Sequence, residues 1–403
     1  MKVLLSAYAC EPGKGSEPEV GFRALLAAAA VHDVWLITRE NNIPALEAAL
    51  RGLPERERIH IEGLDVPGIA QRLKRHGIIA LQWYYDTWQH AAARRALELD
   101  REVGFDVAHH ITFATYWAYA GVAALGKPLV LGPLGGGVQT PPQLVSELGA
   151  KGALTETARN MLRRISSRRP EVARAHRAAS IVMAQNSETA AWLAKLETVE
   201  IFPHATTVNV APSSDTPPRR TSDVLFAGRL IDWKAPILAV RAFRHVTNPE
   251  ARLRIYGSGP ERARIENAIR NWGLEDRVSL EGKISREELL LRVGSAAAIL
   301  HPALHDDSPL AVAEALSLGT PVVALAHGGP RELVKHWPDS PATLVEPDSP
   351  ERTARAMAHA VDDFLSHPPP TRTSPLRPRL SFADAMLDAY DRAVAGIGRV
   401  ARG

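Results

Sequence analysis

Short apolar runs recur along the chain: VLLSAYA (3–9), HDVWLIT (32–38), RIHIEGL (58–64), DVAHHIT (106–112), PLVLGPL (128–134) and SIVMAQN (180–186). Stretches with helical spacing separate most of them. Brief runs of this kind between helices predict buried strands of a parallel sheet covered on both faces. The pattern breaks at PHATTVNVAPSSDTPPRRTS (203–222), whose Pro, Ser and Thr content reads as a linker. It then restarts with DVLFAGRL (223–230), RLRIYGSG (252–259), VSLEGKI (278–284), AAILHPA (297–303) and PVVALAH (321–327). After a second Pro-rich stretch, HPPPTRTSP (367–375), residues 381–398 predict an amphipathic helix with Phe382, Met386, Leu387, Tyr390 and Val394 on one face. The fold class is therefore α/β, with two doubly wound parallel-sheet halves facing a deep cleft. Ligands of such sheets bind at the carboxyl ends of the strands.

Composition adds bounds. The 403 residues are 45% apolar and 23% charged, which suits two or three globular domains rather than a disordered chain. A formal net charge of +3 gives no general basic character of the kind nucleic-acid binding needs. The single cysteine, Cys10, forbids an intrachain disulfide and fits a reducing, cytoplasmic setting. The opening MKVLLSAYAC has one lysine and too short an apolar run for an export signal, so it is read as the first strand.

Five stretches carry candidate chemistry. In HDDSPLAVAEALSLGTPVV (305–323), Ser308 and Pro309 predict a helix start, with Ser308 as N-cap and the helix spanning 309–318 before Gly319. Free N–H groups at that start suit an anion. Glu314 leans back toward it, which is favourable if the ligand also offers hydroxyls. A nucleotide offers phosphate and ribose together; an ordinary surface glutamate is the competing reading. In FAGRLIDWKAP (226–236), Arg229 and Lys234 follow a strand and precede a helix at 235–245, a placement that suits a diphosphate. IYGSGPER (255–262) is a strand, a glycine turn and a helix, with Arg262 where a dinucleotide fingerprint has its third glycine. PGKGSEP (12–18) and GPLGGG (132–137) are glycine-rich strand-to-helix loops that permit close approach of a ligand, without P-loop spacing.

Together these stretches resemble the retaining glycosyltransferases of family four (group 1), which have the GT-B fold, and the resemblance covers nearly the whole chain. GRLIDWKAP looks like that family's GRL…K loop, and IYGSGPE like its GxGP turn. HDDSPLAVAEALSLGTPVVA looks like its E-x7-E…G-PVV signature, with HGGPREL (327–333) as the loop after it. ACEPGKGSEPEVG, HHITFATY and GPLGGG resemble a bacterial branch. SFADAMLDAYDRA resembles the crossover helix that returns to the first domain.

The resemblance implies an acceptor-binding Rossmann-like domain over 1–205, a donor-binding one over 206–378 and a crossover helix over 379–403. It implies a metal-independent hexosyl transfer, without a bound cofactor, from a UDP-, GDP- or other nucleotide-diphosphate sugar. The acceptor is a hydroxyl on a glycan, natural product or lipid-linked molecule. Arg229 and Lys234 would stabilise the leaving diphosphate, Asp306 would contact the transferred sugar, and His109 or His110 would line the sugar site. Glu314 would hold the ribose hydroxyls. Backbone amides near Ser308 and Leu310 would meet phosphate, Lys283 and Ile284 would flank the base, and Gly15, Gly228 and Gly257 complete the donor loops. Three features depart from the family pattern, and one is the spacing of the histidines after Asp106. Asp306 is one methylene shorter than the usual Glu, and Pro309 replaces a glycine and its amide donor. The rival readings are a GT-B sugar-nucleotide epimerase and a non-catalytic activating subunit.

Two other stretches admit a functional reading. QWYYDTWQHAAARR (82–95) has four aromatics at helical spacing, read as packing rather than an acceptor platform. RNMLRRISSRRPEVARAHR (159–177) concentrates arginines, read either as a solvated helix face or as a peripheral contact with an anionic membrane or an acidic acceptor.

Overall fold

The structure, a computed structural model, describes residues 1–66, 78–196, 199–208, 210 and 218–396. These form two compact units, one of Met1–Gly137, Arg159–Thr207 and Ser381–Gly403, the other of Val138–Ala158 and Val208–Leu380.

The first unit holds β1 (Lys2–Ala7), α1 (Ser16–Ala29), β2 (Asp33–Thr38), α2 (Ile43–Leu50), β3 (Ile59–Gly63), α3 (Ile78–Val103), β4 (Val107–Thr112) and β5 (Leu129–Leu134). After α4 (Gly149–Ser166), which starts in the second unit, come α5 (Pro170–Ala178), β6 (Ile181–Ala184), α6 (Ser187–Trp192) and β7 (Val199–Ile201). Seven strands order as β3-β2-β1-β4-β5-β6-β7, all in parallel register. Each face of the sheet has its own apolar cluster. Val3, Leu5, Val107 and Ile111 face α1 on one side, and Leu4, Ala108 and Leu131 face Tyr84 and Trp88 of α3 on the other.

The second unit repeats the plan. Its elements are β8 (Asp223–Ala227), α7 (Pro236–Phe243), β9 (Arg252–Tyr256), α8 (Arg262–Asn271), β10 (Val278–Gly282), α9 (Arg286–Ser295) and β11 (Ala298–His301). They continue with α10 (Leu310–Leu318), β12 (Val322–Leu325), α11 (Gly329–His336), β13 (Ala342–Val345) and α12 (Pro350–Ser366). Six parallel strands order as β10-β9-β8-β11-β12-β13. In both sheets the order reverses beside the first strand, at β1/β4 and at β8/β11, so each unit is Rossmann-like.

The terminal helix α13 (Phe382–Val394) clusters with the first unit, burying Phe382, Met386, Ala389 and Tyr390 among Val3, Leu5 and Val20. Val394, expected on that buried face, is exposed at the helix end.

The expected boundary near 205 needs one correction. Residues 138–158 cluster with the second unit, because Leu144 and Leu148 join its core and Glu147 pairs with Arg241 at 3.1 Å. The linker reading also changes: His204–Thr207 form a turn with His204, Ala205 and Thr206 buried. Residues 209 and 211–217 of that stretch lie outside the described residues.

Candidate functional site

In the second unit the two strands flanking the order reversal, β8 and β11, end in the loops that carry the candidate residues. β8 is followed by Gly228, whose N–H donates to Tyr256 O at 3.0 Å, and Leu230 N–H donates to Ser258 O at 3.0 Å. Gly257 closes this approach at φ +144°, where a Cβ would lie 1.8 Å from Gly228 O. Gly228 and Gly257 thus hold two loops together, and their glycine character is explained by backbone contact. Arg229 is exposed between them. A short turn at Asp232–Lys234 and a left-handed Ala235 (φ +50°) then launch α7.

The β11 loop docks on that turn. Leu304 N–H donates to Trp233 O at 2.8 Å, and the His305 ring stacks on Trp233 with centroids 5.5 Å apart. This joint brings the Lys234 ammonium into direct contact with Asp306 Oδ2. His301 Nε2, from the end of β11, lies 3.2 Å from the same oxygen. Burial alone would raise the Asp306 carboxyl, but the Lys234 charge and His301 hold it well below the usual carboxylate range. Asp306 is therefore an anion at neutral pH. Burial also keeps His301 below its ordinary value, against the pull of Asp306. The loop after β12 seals this corner: Gly329 N–H donates to Asp306 O at 2.8 Å, and a Cβ on Gly328 (φ +58°) would lie 2.8 Å from that oxygen.

The helix at the centre of the signature starts one residue later than expected. Pro309 is its N-cap, at φ −72° and ψ 116°, and the first helical residue is Leu310. An extended ψ at Pro309 keeps it out of the helix, which displaces Ser308 from the capping position; Ser308 is buried beside it. Gly319 closes the helix in the left-handed conformation, as expected. Glu314 is only 7% exposed, which removes the reading of an ordinary surface glutamate. Its Oε1 accepts from Arg286 Nε at 3.0 Å and from a terminal guanidinium nitrogen at 2.7 Å. Arg286 opens α9, just after exposed Lys283 and half-buried Ile284. One corner of the unit thus presents Glu314, Arg286 and the loop expected to flank a base.

In the first unit the loop after β1 has Gly13 (φ +73°) and Gly15 (φ +64°), where an added Cβ would meet nothing within 4 Å. Gly15 is the residue before α1. The glycines after β5 differ. A Cβ on Gly136 would strike the Trp117 ring at 2.0 Å, and one on Gly137 would lie 2.3 Å from Thr189 Cα. Those two are demanded by packing within the protein.

His109 and His110 alternate across the sheet, as neighbours in a strand must. His109 points to the α13 face, with Nδ1 2.7 Å from Tyr390 Oη and Nε2 2.7 Å from Gly132 O. His110 points to the α3 face, with Nε2 3.2 Å from Tyr85 Oη. Both are buried, and burial depresses them, His109 to about 4 and His110 to about 3. Tyr84, Tyr85 and Trp88 are buried core, whereas Trp83 is exposed.

Two participants escaped the sequence reading. His301 ends an apolar strand, and Arg286 looks like one charge among several at a helix start. Their only signal was position: each stands at the edge of a loop that the motifs already marked.

Parts of this chain are similar to known proteins. An exopolysaccharide phosphotransferase of Streptomyces coelicolor is 31% identical over 144 residues, 35% of this chain and 15% of that protein. The 2-deoxystreptamine glucosyltransferase of Streptomyces kanamyceticus is 29% identical over 140 residues, 34% of this chain and 36% of that protein. The chain thus spans well under half the length of either relative. In three dimensions, Anabaena HepE, solved with UDP, is similar over 99% of this chain and 98% of its own, with a TM-score of 0.56 and 17% identity. That protein has also been solved with UDP and glucose and with UDP-glucose. The architecture is that of GT-B structures, and residues 213–372, which hold the β8 and β11 loops, match the family model Glycosyl transferases group 1.

Proposed function

We propose that this protein is a glycosyltransferase. It moves a hexosyl group from a nucleotide-diphosphate sugar to an acceptor hydroxyl, with retention at the anomeric carbon and without a divalent ion. The observation that carries the reading is the joint between the β8 and β11 loops, where Lys234 meets Asp306 in the same unit as buried Glu314. Diphosphate chemistry asks for cations at the leaving group, and Lys234 with Arg229 supplies them. Ribose hydroxyls ask for an ionised acceptor, and Glu314, fixed by Arg286, supplies it. Asp306, held ionised, accepts hydrogen bonds from hydroxyls of the transferred sugar. HepE, with its UDP-glucose complex, favours a uridine donor.

In the proposed step the bond from the anomeric carbon to the phosphate oxygen breaks. The acceptor oxygen bonds to that carbon on the same face, and the leaving phosphate takes the acceptor proton. His109 is assigned to the core by its two partners and is given no chemical role; the sugar-facing role stays with His110.

One assay tests this reading. The protein is incubated with UDP- and GDP-sugars and a panel of glycan, natural-product and lipid-linked acceptors, with and without EDTA, and the product is read by proton NMR. The expected result is transfer that survives EDTA and keeps the anomeric configuration of the donor. Acceptor-independent isomerisation of the donor would overturn it in favour of an epimerase. No turnover and no binding of any sugar nucleotide would leave a non-catalytic subunit.

A further inference from the structure

The helix α4 turns an apolar face to solvent. Leu154, Met161 and Ile165 are 73%, 66% and 57% exposed. They fall at spacings of seven and four, so they form one stripe, with exposed Ala158 between them. The eighteen-residue helix is about 27 Å long at 1.5 Å per residue, so this stripe is an extended feature.

The charges beside it have one sign. Lys151 and Arg164 on the helix and Arg168 in the turn after it are exposed, and none has an ion-pair partner among the described residues. By contrast, Arg95, Arg254 and Arg392 each pair with two carboxylates. The one acid of α4, Glu156, is buried, with Oε2 3.4 Å from His305 Nε2. The exposed face is therefore apolar and cationic with no acid on it.

We propose that this face of α4 docks on an anionic lipid bilayer, with Leu154, Met161 and Ile165 entering the interface and Lys151, Arg164 and Arg168 meeting lipid phosphates. A lone convex helix face offers no pocket for a small ligand. An apolar stripe flanked by cations is the pattern of helices that lie in the plane of a membrane surface. Among the described residues no helix is long and apolar enough to cross a membrane. The inference does not depend on the reaction proposed above.

The test is co-sedimentation of the full chain with vesicles of phosphatidylcholine alone and of phosphatidylcholine mixed with phosphatidylglycerol. The chain is expected to pellet with the mixed vesicles, to stay in solution with the neutral ones, and to be released by salt. Each cation near an anionic surface contributes roughly fivefold to partitioning, so Arg164→Gln with Arg168→Gln is expected to weaken binding about thirtyfold. Met161→Asp with Ile165→Asp is expected to remove it, while Leu291→Asp, at an exposed apolar position of α9, is expected to leave it intact. All these positions are exposed, and circular dichroism verifies the fold. Failure of the parent chain to bind anionic vesicles would overturn the proposal, as would equal binding by the Asp pair. Concentration-dependent self-association that the Asp pair abolishes, without vesicle binding, would assign the face to a second copy and overturn it as well.

Discussion

At the scale of single residues, pairing decides which polar groups are available for chemistry. Glu314 is buried, and the guanidinium that donates to it, Arg286, stands at the start of a helix. Hydrogen bonds to a charged acceptor contribute roughly 1.5–3 kcal/mol each. Glu314→Ala is therefore expected to weaken nucleotide binding at least tenfold while the protein stays folded. Titration calorimetry with UDP and GDP reads this, and unchanged affinity for every nucleotide bound would take Glu314 out of the site. The two strand histidines make a different prediction. Their folded values, about 4 and about 3, lie below the ordinary 6.5 because burial disfavours the charged ring. Between those values and 6.5 the unfolded chain binds more protons, so their contribution is complete above pH 6.5 and is lost as pH falls. The summed loss is on the order of several kcal/mol. The urea midpoint is expected to drop steeply from pH 7 to pH 4.5. The ring protons of His109 and His110 should show no titration step above pH 5; a midpoint near 6.5 for either would show that it is not buried as described.

At the scale of elements, the strands and the loops that follow them were the most legible part of the sequence. Eleven of the thirteen described strands coincide with apolar runs. The exceptions, Val199–Ile201 and Ala342–Val345, are short and stand at sheet edges, where half-burial leaves no continuous apolar signature. The loop motifs marked Lys234, Asp306 and Glu314 but not what they touch. The contacts to His301 and Arg286 are made through space, and no local pattern records them. Glycines illustrate the same limit. Gly13 and Gly257 read alike as permissive turn residues, but one faces open space and the other a carbonyl. Gly257→Ala is therefore expected to push the Arg229 loop from its place, costing at least ~2 kcal/mol and most of the turnover. Gly13→Ala meets only the strain of its positive φ and should cost about 1 kcal/mol. Thermal melts of the pair check this, and equal losses would show that contact with Gly228 does not set the cost.

At the scale of the whole molecule, sequence order and structural unit part company twice. Residues 138–158 lie early in the chain but belong to the second unit, and α13 lies last but belongs to the first. The segment 138–158 was hidden in the sequence because its anchors, Leu144, Leu148 and Glu147, look like ordinary loop and helix residues. The helix α13 was legible because its apolar face is strict. It completes the core over β1 and β4, its Tyr390 hydroxyl holds His109, and Arg392 grips Glu200 through two bonds of 2.7 and 2.8 Å. Removing residues 381–403 would uncover Val3, Leu5, Val20 and Ile111 and leave a buried histidine without one partner, which costs about 1–3 kcal/mol before any apolar loss is counted. Burial of a large apolar side chain is worth ~1.5–3 kcal/mol, so losing Phe382, Met386 and Tyr390 removes roughly 5–9 kcal/mol, comparable with the about 5–15 kcal/mol that holds a typical unit folded. The truncated chain is expected to lose the fold of its first unit while the second, whose core contains none of α13, keeps its own. Hydrogen exchange distinguishes the two: amides of β1, β4 and β5 should lose protection while those of β8, β11 and β12 retain it. On the proposed reading, nucleotide binding should survive the truncation and sugar transfer should not. Loss of protection in both sheets together would show that the two units fold as one.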